Sequence, residues 1–208
     1  MVIELLTGRQ ATQEERQRFK RYLDLLLVWN RVQRLTGLLS TAEIVRKLFQ
    51  DSLLFLRLLP QGPLVMADIG AGAGIPGVPL RIVRPEISLT LIESRRRPVS
   101  FLAALSRELD LSGTEVLEGR AADLARQSPS LVGRFDVVVA RAVGSLPELI
   151  PTAVRYLKSG GVFITSGPPP GKPRPALPVG FGAKWEMVSN SPSGLKRTFL
   201  TVSKQGAP

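Results

Sequence analysis

The chain has 208 residues, 44% of them apolar and 22% charged, which suits one substantial core with a small appendage and excludes wholesale disorder. Its 28 Lys and Arg outweigh 17 Asp and Glu, and the net charge of +11 points to a polyanionic partner, nucleic acid first. With no Cys and no His, the sequence excludes disulfides, thiolate and imidazole metal sites, a cysteine nucleophile and Ser-His-Asp catalysis.

The opening residues hold no long apolar run, and no uncharged stretch reaches about 18 residues, so a cytoplasmic protein without a membrane span is expected. Thr12-Gln13-Glu14-Glu15 reads as a capping box. Behind it Phe19, Tyr22, Leu23, Leu26 and Trp29 recur at helical spacing, which predicts an amphipathic helix over 12–35 closed by Gly37. Arg16, Arg18, Lys20, Arg21, Arg31 and Arg34 decorate it. Ser40-Thr41-Ala42-Glu43 is a second capping box, predicting a helix to about residue 59 that Pro60-Gln61-Gly62-Pro63 ends. Residues 1–62 are therefore expected to form a helical cap on a second unit, 63–208.

From Leu64 short apolar strands alternate with helices, the mark of a parallel α/β sheet. Strands are predicted at 64–69, 87–92, 114–117, 135–140 and 162–165, with helices at 79–83, 94–109 and 145–158. The run 166–182 has six prolines and four glycines and is expected to be a loop. Two further strands, 183–189 and 196–204, close the chain.

The stretch LVMADIGAGAGIPG (64–77) organises the rest: a buried strand breaks into Gly70, Gly72, Gly74 and Gly77, then a new helix begins. Glycine suits a turn whose backbone must approach a ligand, and the helix start supplies unpaired N–H groups. The glycines fit two templates. Residues 72–77 satisfy the dinucleotide pattern G-x-G-x-x-G, with Glu93 further on for a ribose. In the other register, Asp68 followed by Gly70, Gly72 and Gly74 resembles motif I of class I methyltransferases that use S-adenosylmethionine. A carboxylate at Asp68 suits a sulfonium and an ammonium better than a pyrophosphate, and Glu93 can accept from both ribose hydroxyls.

GAGAGIPGVPLRIVRPEISLTLIES, FDVVVARAVGSLPEL, and LLLVWNRVQRLTGL with QDSLLFL resemble the glucose-inhibited division protein B family, bacterial enzymes that form 7-methylguanosine in 16S rRNA. The resemblance covers nearly the whole chain. It implies a class I methyltransferase fold, Rossmann-like and mostly parallel with an antiparallel last strand. It implies transfer of a methyl group from S-adenosyl-L-methionine to N7 of a guanosine in the 530 loop, in naked 16S rRNA or a small-subunit particle, leaving S-adenosyl-L-homocysteine. By position, it implies cofactor contacts at Gly70, Ile75, Glu93, Ala121, Ala122 and Arg141, beside Asp68, Gly72 and Gly74 of the glycine turn.

N7 carries a lone pair and no proton, so the implied reaction asks for alignment rather than a general base. No residue is assigned proton transfer; Arg141 is expected to orient cofactor or guanine, or else to pair with Asp123 or Asp136. RNA contacts are expected at Arg31, Arg34, Arg95, Arg96, Arg97, Lys172 and Arg174. The chain departs from the family at Arg34, Leu48 and Ser166, where asparagine, histidine and lysine are usual. A monomer without metal is expected. The competing readings are a small-molecule methyltransferase, an NAD(P)-dependent oxidoreductase and a non-catalytic basic RNA-binding module on the same fold.

Overall fold

The computed structural model describes residues 2–168, 182–190 and 194–203. Five strands, β1 (Leu64–Ile69), β2 (Ile87–Glu93), β3 (Thr114–Glu118), β4 (Phe135–Ala140) and β5 (Leu157–Ser166), pair in parallel. β6 (Gly182–Asn190) and β7 (Leu195–Ser203) complete a seven-stranded sheet of order β3-β2-β1-β4-β5-β7-β6, with β7 antiparallel to both neighbours. This is the expected α/β class I methyltransferase architecture, mostly parallel with an antiparallel last strand.

β1 and β4 are apolar apart from Asp68 and Asp136 because both faces of the sheet are covered. The helices are α1 (Val2–Thr7), α2 (Gln13–Gln33), α3 (Thr41–Ile44), α4 (Asp51–Leu53), α5 (Gly77–Val83), α6 (Arg96–Glu108), α7 (Ala121–Gln127) and α8 (Leu146–Tyr156). Met66 and Val137 face one side, where they share a core with Tyr22 and Leu26 of α2 and Phe101 and Leu105 of α6. Their neighbours Ala67 and Val138 point the other way, to Ala125 of α7 and Ile150 and Ala153 of α8. The N-terminal helices thus complete the same core as the sheet.

The Thr12 capping box forms as read, with Glu15 N donating to Thr12 Oγ1 at 3.1 Å and Thr12 N to Glu15 Oε2 at 2.7 Å. The helix closes at Arg34, not Gly37: Arg34 is left-handed (φ 49) and its amide bonds the Asn30 carbonyl. Asparagine is favoured in that conformation and arginine is not, so the departure at Arg34 carries a conformational cost.

The second predicted helix is corrected more deeply. Ser40 makes no side-chain cap bond, and α3 runs into a π-helical stretch (Val45–Gln50), then α4, then a 3-10 turn (Leu54–Arg57). Buried Ile44 and Phe49 lie five residues apart, a spacing that a π turn stacks on one face.

β5 starts at Leu157, earlier than predicted, and its register with β4 is irregular between Phe135 and Val137. A Cβ on Gly161 would stand 3.0–3.1 Å from three carbonyl oxygens, so glycine there admits a close strand approach. α1 and α7 are additions to the predicted elements. Lys172 and Arg174 lie outside the described residues. No helix among those described is long and apolar enough to cross a membrane.

Candidate functional site

In an open parallel sheet ligands bind at the carboxyl ends of the strands where the order reverses, here between β1 and β4. The glycine turn lies at that point. Gly70 N and Ala71 N donate to the Ile92 carbonyl at 2.8 and 3.1 Å, which ties the turn to β2. Gly72 N donates to Glu93 Oε2 at 3.0 Å and Gly77 N to Asp68 Oδ2 at 2.8 Å, so two buried carboxylates hold its two ends.

Two glycines are needed for packing. At Gly70 (φ +73) a Cβ would stand 2.4 Å from Val143 Cγ2. At Gly74 (φ +85) it would meet Tyr22 Oη at 2.8 Å and Val78 Cγ2 at 2.9 Å. Tyr22 Oη donates to the Ala73 carbonyl, so α2 rests directly on the turn.

Two cavities open beside Val143. The first, about 300 Å³, is lined by Gly70, Ser94, Gly119, Ala121, Ala122 and Val143. Ala121 and Ala122 are the first residues of α7, positions whose N–H groups have no carbonyl partner within the helix. The second, about 510 Å³, is lined by Arg141, Val143, Ser145, Thr165, Ser166 and Arg197. The 143–145 segment is therefore a shared wall between the two.

Glu93 stands between the first-cavity residues Ile92 and Ser94. Burial alone would raise its carboxyl, but the Arg95 side chain and amide and the Gly72 amide hold it below the usual carboxylate range. Arg95 N donates to Oε1 at 2.9 Å, and Arg95 Nε lies 3.2 Å from the same oxygen. Arg95, expected as an RNA contact, is thus already paired beside the glycine turn, although 69% of its side chain is exposed. It also lines a basic cavity of about 280 Å³ with Arg34, Arg96 and Arg97. The structure gathers four of the predicted RNA contacts there; Arg31 is exposed one turn earlier on α2.

Asp68 is wholly buried, and burial pushes its carboxyl up to about 7, with Glu93 adding to the rise and the Gly77 amide and Arg141 opposing it. Its Oδ1 finds no hydrogen-bond partner among the described residues. The folded pKa lies above the unfolded one, so the folded state holds the extra proton between about pH 4 and 7. The contribution is present below that window and is lost as pH rises through it, on the order of 1.4 kcal/mol per pH unit. Asp68→Asn is expected to flatten this slope and to raise stability at pH 8; urea denaturation of both proteins from pH 5 to 8 checks it, and parallel curves would count against it.

Arg141 does not pair with Asp123 or Asp136. Asp136 lies five residues back along β4, roughly 16 Å away at strand rise, and takes Lys158 Nζ at 2.8 Å and the Val65 amide. Asp123 takes Arg126. Arg141 instead meets Asp51 of α4: its Nη2 stands 3.3 Å from Asp51 Oδ2 and donates to the Lys47 carbonyl at 2.6 Å. Arg197 of β7 binds Asp51 Oδ1 through Nε at 2.9 Å and Nη2 at 2.7 Å. Burial lowers the Arg141 pKa from its ordinary value, Asp51 opposing and Arg197 reinforcing the shift.

Ile75, expected as an apolar wall of the cofactor site, is packed in the core. Gly72 offers an open face, its Cβ position meeting only Gly70 O at 3.8 Å and Arg95 Nη2 at 4.0 Å. Leu48 packs against the core, and Ser166 lines the cavity that holds Arg141 and Arg197. Sequence reading missed Arg197, Val143 and Asp51 as site residues. Asp51 had a signal within QDSLLFL; Arg197, in a strand with cations on either face, had none.

The GidB family model, rRNA small subunit methyltransferase G, matches residues 15–166. A ribosomal RNA small subunit methyltransferase G of Streptococcus pneumoniae serotype 19F (strain G54) is 38% identical over 153 residues, covering 73% of this chain and 64% of that protein. The protein of the same name from Streptococcus suis (strain 05ZYH33) is 38% identical over 159 residues, 76% of this chain and 67% of that one. The fold is shared with a solved SAM dependent methyltransferase from Aquifex aeolicus (TM-score 0.58, 12% identity, 78% of this chain and 93% of that one). It is also shared with precorrin-6y C5,15-methyltransferase from Geobacter metallireducens (TM-score 0.52, 18% identity, 74% and 87%).

Proposed function

The chain belongs to the rRNA small subunit methyltransferase G family, and on that premise we propose that it transfers a methyl group from S-adenosylmethionine to N7 of a guanosine in the 530 loop of 16S rRNA. The observation that carries the reading is the pair of cavities divided by the 143–145 segment at the carboxyl ends of β1 and β4. A group-transfer site needs two compartments meeting at one wall, and binding both partners there supplies proximity and orientation.

The first cavity suits an adenosyl cofactor. Glu93 accepts from the ribose hydroxyls, the Ala121 and Ala122 amides face the adenine, and the turn at Gly70 and Gly72 meets the amino-acid end above Asp68. The unpartnered Oδ1 of Asp68 fits a cationic group nearby. When bound, S-adenosylmethionine supplies the methyl electrophile. The second cavity receives the guanosine, with Arg141 and Arg197 on its wall. N7 has no proton to lose, so these residues orient the base rather than move protons. Arg34, Arg95, Arg96 and Arg97, with Arg31, meet RNA phosphates. The protein works as a monomer in the cytoplasm, where its ribosomal substrate is.

Calorimetric titration with S-adenosylhomocysteine, with NADH as control, tests the cofactor class. Saturable binding of the former alone is expected; binding of NADH alone would return the oxidoreductase reading.

Arg95 gives a prediction of unusual sign. It competes with the ribose for Glu93, and RNA phosphates compete with Glu93 for it. Exposed pairs contribute about 0–1 kcal/mol, so Arg95→Gln is expected to tighten S-adenosylhomocysteine binding about two- to fivefold. The same variant should weaken RNA binding and make its logarithmic salt slope shallower by about one. Weaker cofactor binding in this variant would mean that Arg95 helps to hold the cofactor.

A further inference from the structure

We propose that Asp51 is a positioning residue for Arg141, with the helical stretch 45–53 acting as a two-point clamp on that guanidinium; the functional side of this rests on the reading that the Arg141 cavity receives the acceptor guanosine. The clamp points are the Lys47 carbonyl, which accepts from Arg141 Nη2 at 2.6 Å, and Asp51 Oδ2, which stands 3.3 Å from the same nitrogen as a charge partner without a hydrogen bond among the described residues. Lys47 and Asp51 are four residues apart on the segment where the helix widens to π geometry, and π segments often mark functional positions.

Three features separate this arrangement from a tether. The Asp51 side chain is only 2% exposed, yet it serves two cations, Arg197 on Oδ1 and Arg141 on Oδ2. One arginine would neutralise it, and joining α4 to β7 requires only Arg197. The second guanidinium adds a positive charge beyond what Asp51 neutralises, in a place where Arg141 is 16% exposed and Asp68 is a further carboxylate that favours its charge. Arg141 Nη1 is buried and finds no partner among the described residues, so its position is set from one side only, by the clamp. Finally, both arginines line the acceptor cavity rather than the cofactor cavity. Arg141 is thus presented ready-placed at the wall where acceptor and methyl group meet. Arg197 donates from Nε and Nη2 to Oδ1, which anchors that oxygen and leaves Oδ2 facing Arg141.

The test combines kinetics with a spectroscopic readout. Asp51→Asn is expected to lower kcat for methylation of 16S rRNA at least tenfold while the S-adenosylhomocysteine Kd stays within threefold. In an Arg141→Ala background, Asp51→Asn should produce no further loss in kcat, because nothing remains to be positioned. A tether would lower kcat by the same factor in both backgrounds, and that result overturns the proposal. Nitrogen-15 NMR of the arginine side chains gives a readout independent of activity. The wild type should show a hindered Arg141 guanidinium signal, assigned by its loss in Arg141→Ala, that averages out in Asp51→Asn. A signal unchanged in Asp51→Asn overturns the proposal even if activity falls. If the wild type methylates no rRNA but the signal behaves as expected, the functional reading fails and the positioning stands. Should Asp51→Asn not fold, Asp51→Glu keeps the charge and moves it by one methylene; a lowered kcat with a near-native Tm is expected, and an unchanged kcat contradicts the clamp.

Discussion

A Glu93→Ala variant is expected to lose at least about 100-fold in affinity for S-adenosylhomocysteine while it remains folded. Hydrogen bonds to a charged acceptor contribute about 1.5–3 kcal/mol each, and the proposed ribose seat uses two. Glu93 also accepts from Gly72 N at 3.0 Å and Arg95 N at 2.9 Å. Its loss therefore loosens the glycine turn, at a cost of about 1–3 kcal/mol for a buried donor left unpaired. Glu93→Gln separates the two contributions: it keeps an oxygen for the turn but gives up the charge, and an affinity between wild type and alanine is expected. Calorimetry provides the affinities and urea denaturation the stabilities. An alanine variant that binds within threefold of wild type would place the ribose elsewhere.

Gly70→Ala should act through packing and backbone together. The new Cβ would stand 2.4 Å from Val143 Cγ2, at a residue with φ +73. The left-handed backbone costs about 1–2 kcal/mol for a residue with a side chain, and overpacking a fixed wall adds about 1–3 kcal/mol. A total destabilisation of about 2–5 kcal/mol is expected, together with loss of both cofactor affinity and turnover, because Val143 lines both cavities. Adding Val143→Ala should return the packing part and leave the backbone part, with a coupling of about 1 kcal/mol or more. Strict additivity in that double-mutant cycle would show that the two residues do not meet as described.

What could be read from the sequence divides along physical lines. β1 and β4 were legible to the residue because both faces are buried and the runs are apolar apart from Asp68 and Asp136. The Thr12 cap was legible because its chemistry is local. α7 was not: AADLARQ has seven residues and only Leu124 and Ala125 as inward apolar groups near its centre, too few to show a period. The π stretch was hidden because its apolar residues fit a regular helix nearly as well until Ile44 and Phe49 are seen buried on one side.

In the site, Asp68, Glu93 and the glycines were legible because strand-end carboxylates and glycine turns are patterns of neighbouring residues. The roles of the glycines were not, since Gly70 and Gly74 answer to Val143 and Tyr22, partners distant in the chain. The union of Asp51 with Arg197 spans 146 positions and leaves no periodicity to find. The Asp136 alternative for Arg141 failed for a related reason, since nearness in sequence along an extended strand is distance in space, and Asp123 is taken by Arg126 on its own helix.

The most direct test of the central claim is to incubate the purified protein with methyl-labelled S-adenosylmethionine and small-subunit RNA, naked and as assembled particles, from cells that lack the modification. The label is then located by nuclease digestion and mass spectrometry. One methyl group per 16S rRNA is expected, on N7 of a guanosine in the 530 loop. Label on another atom or another RNA, or none despite saturable S-adenosylhomocysteine binding, would contradict it.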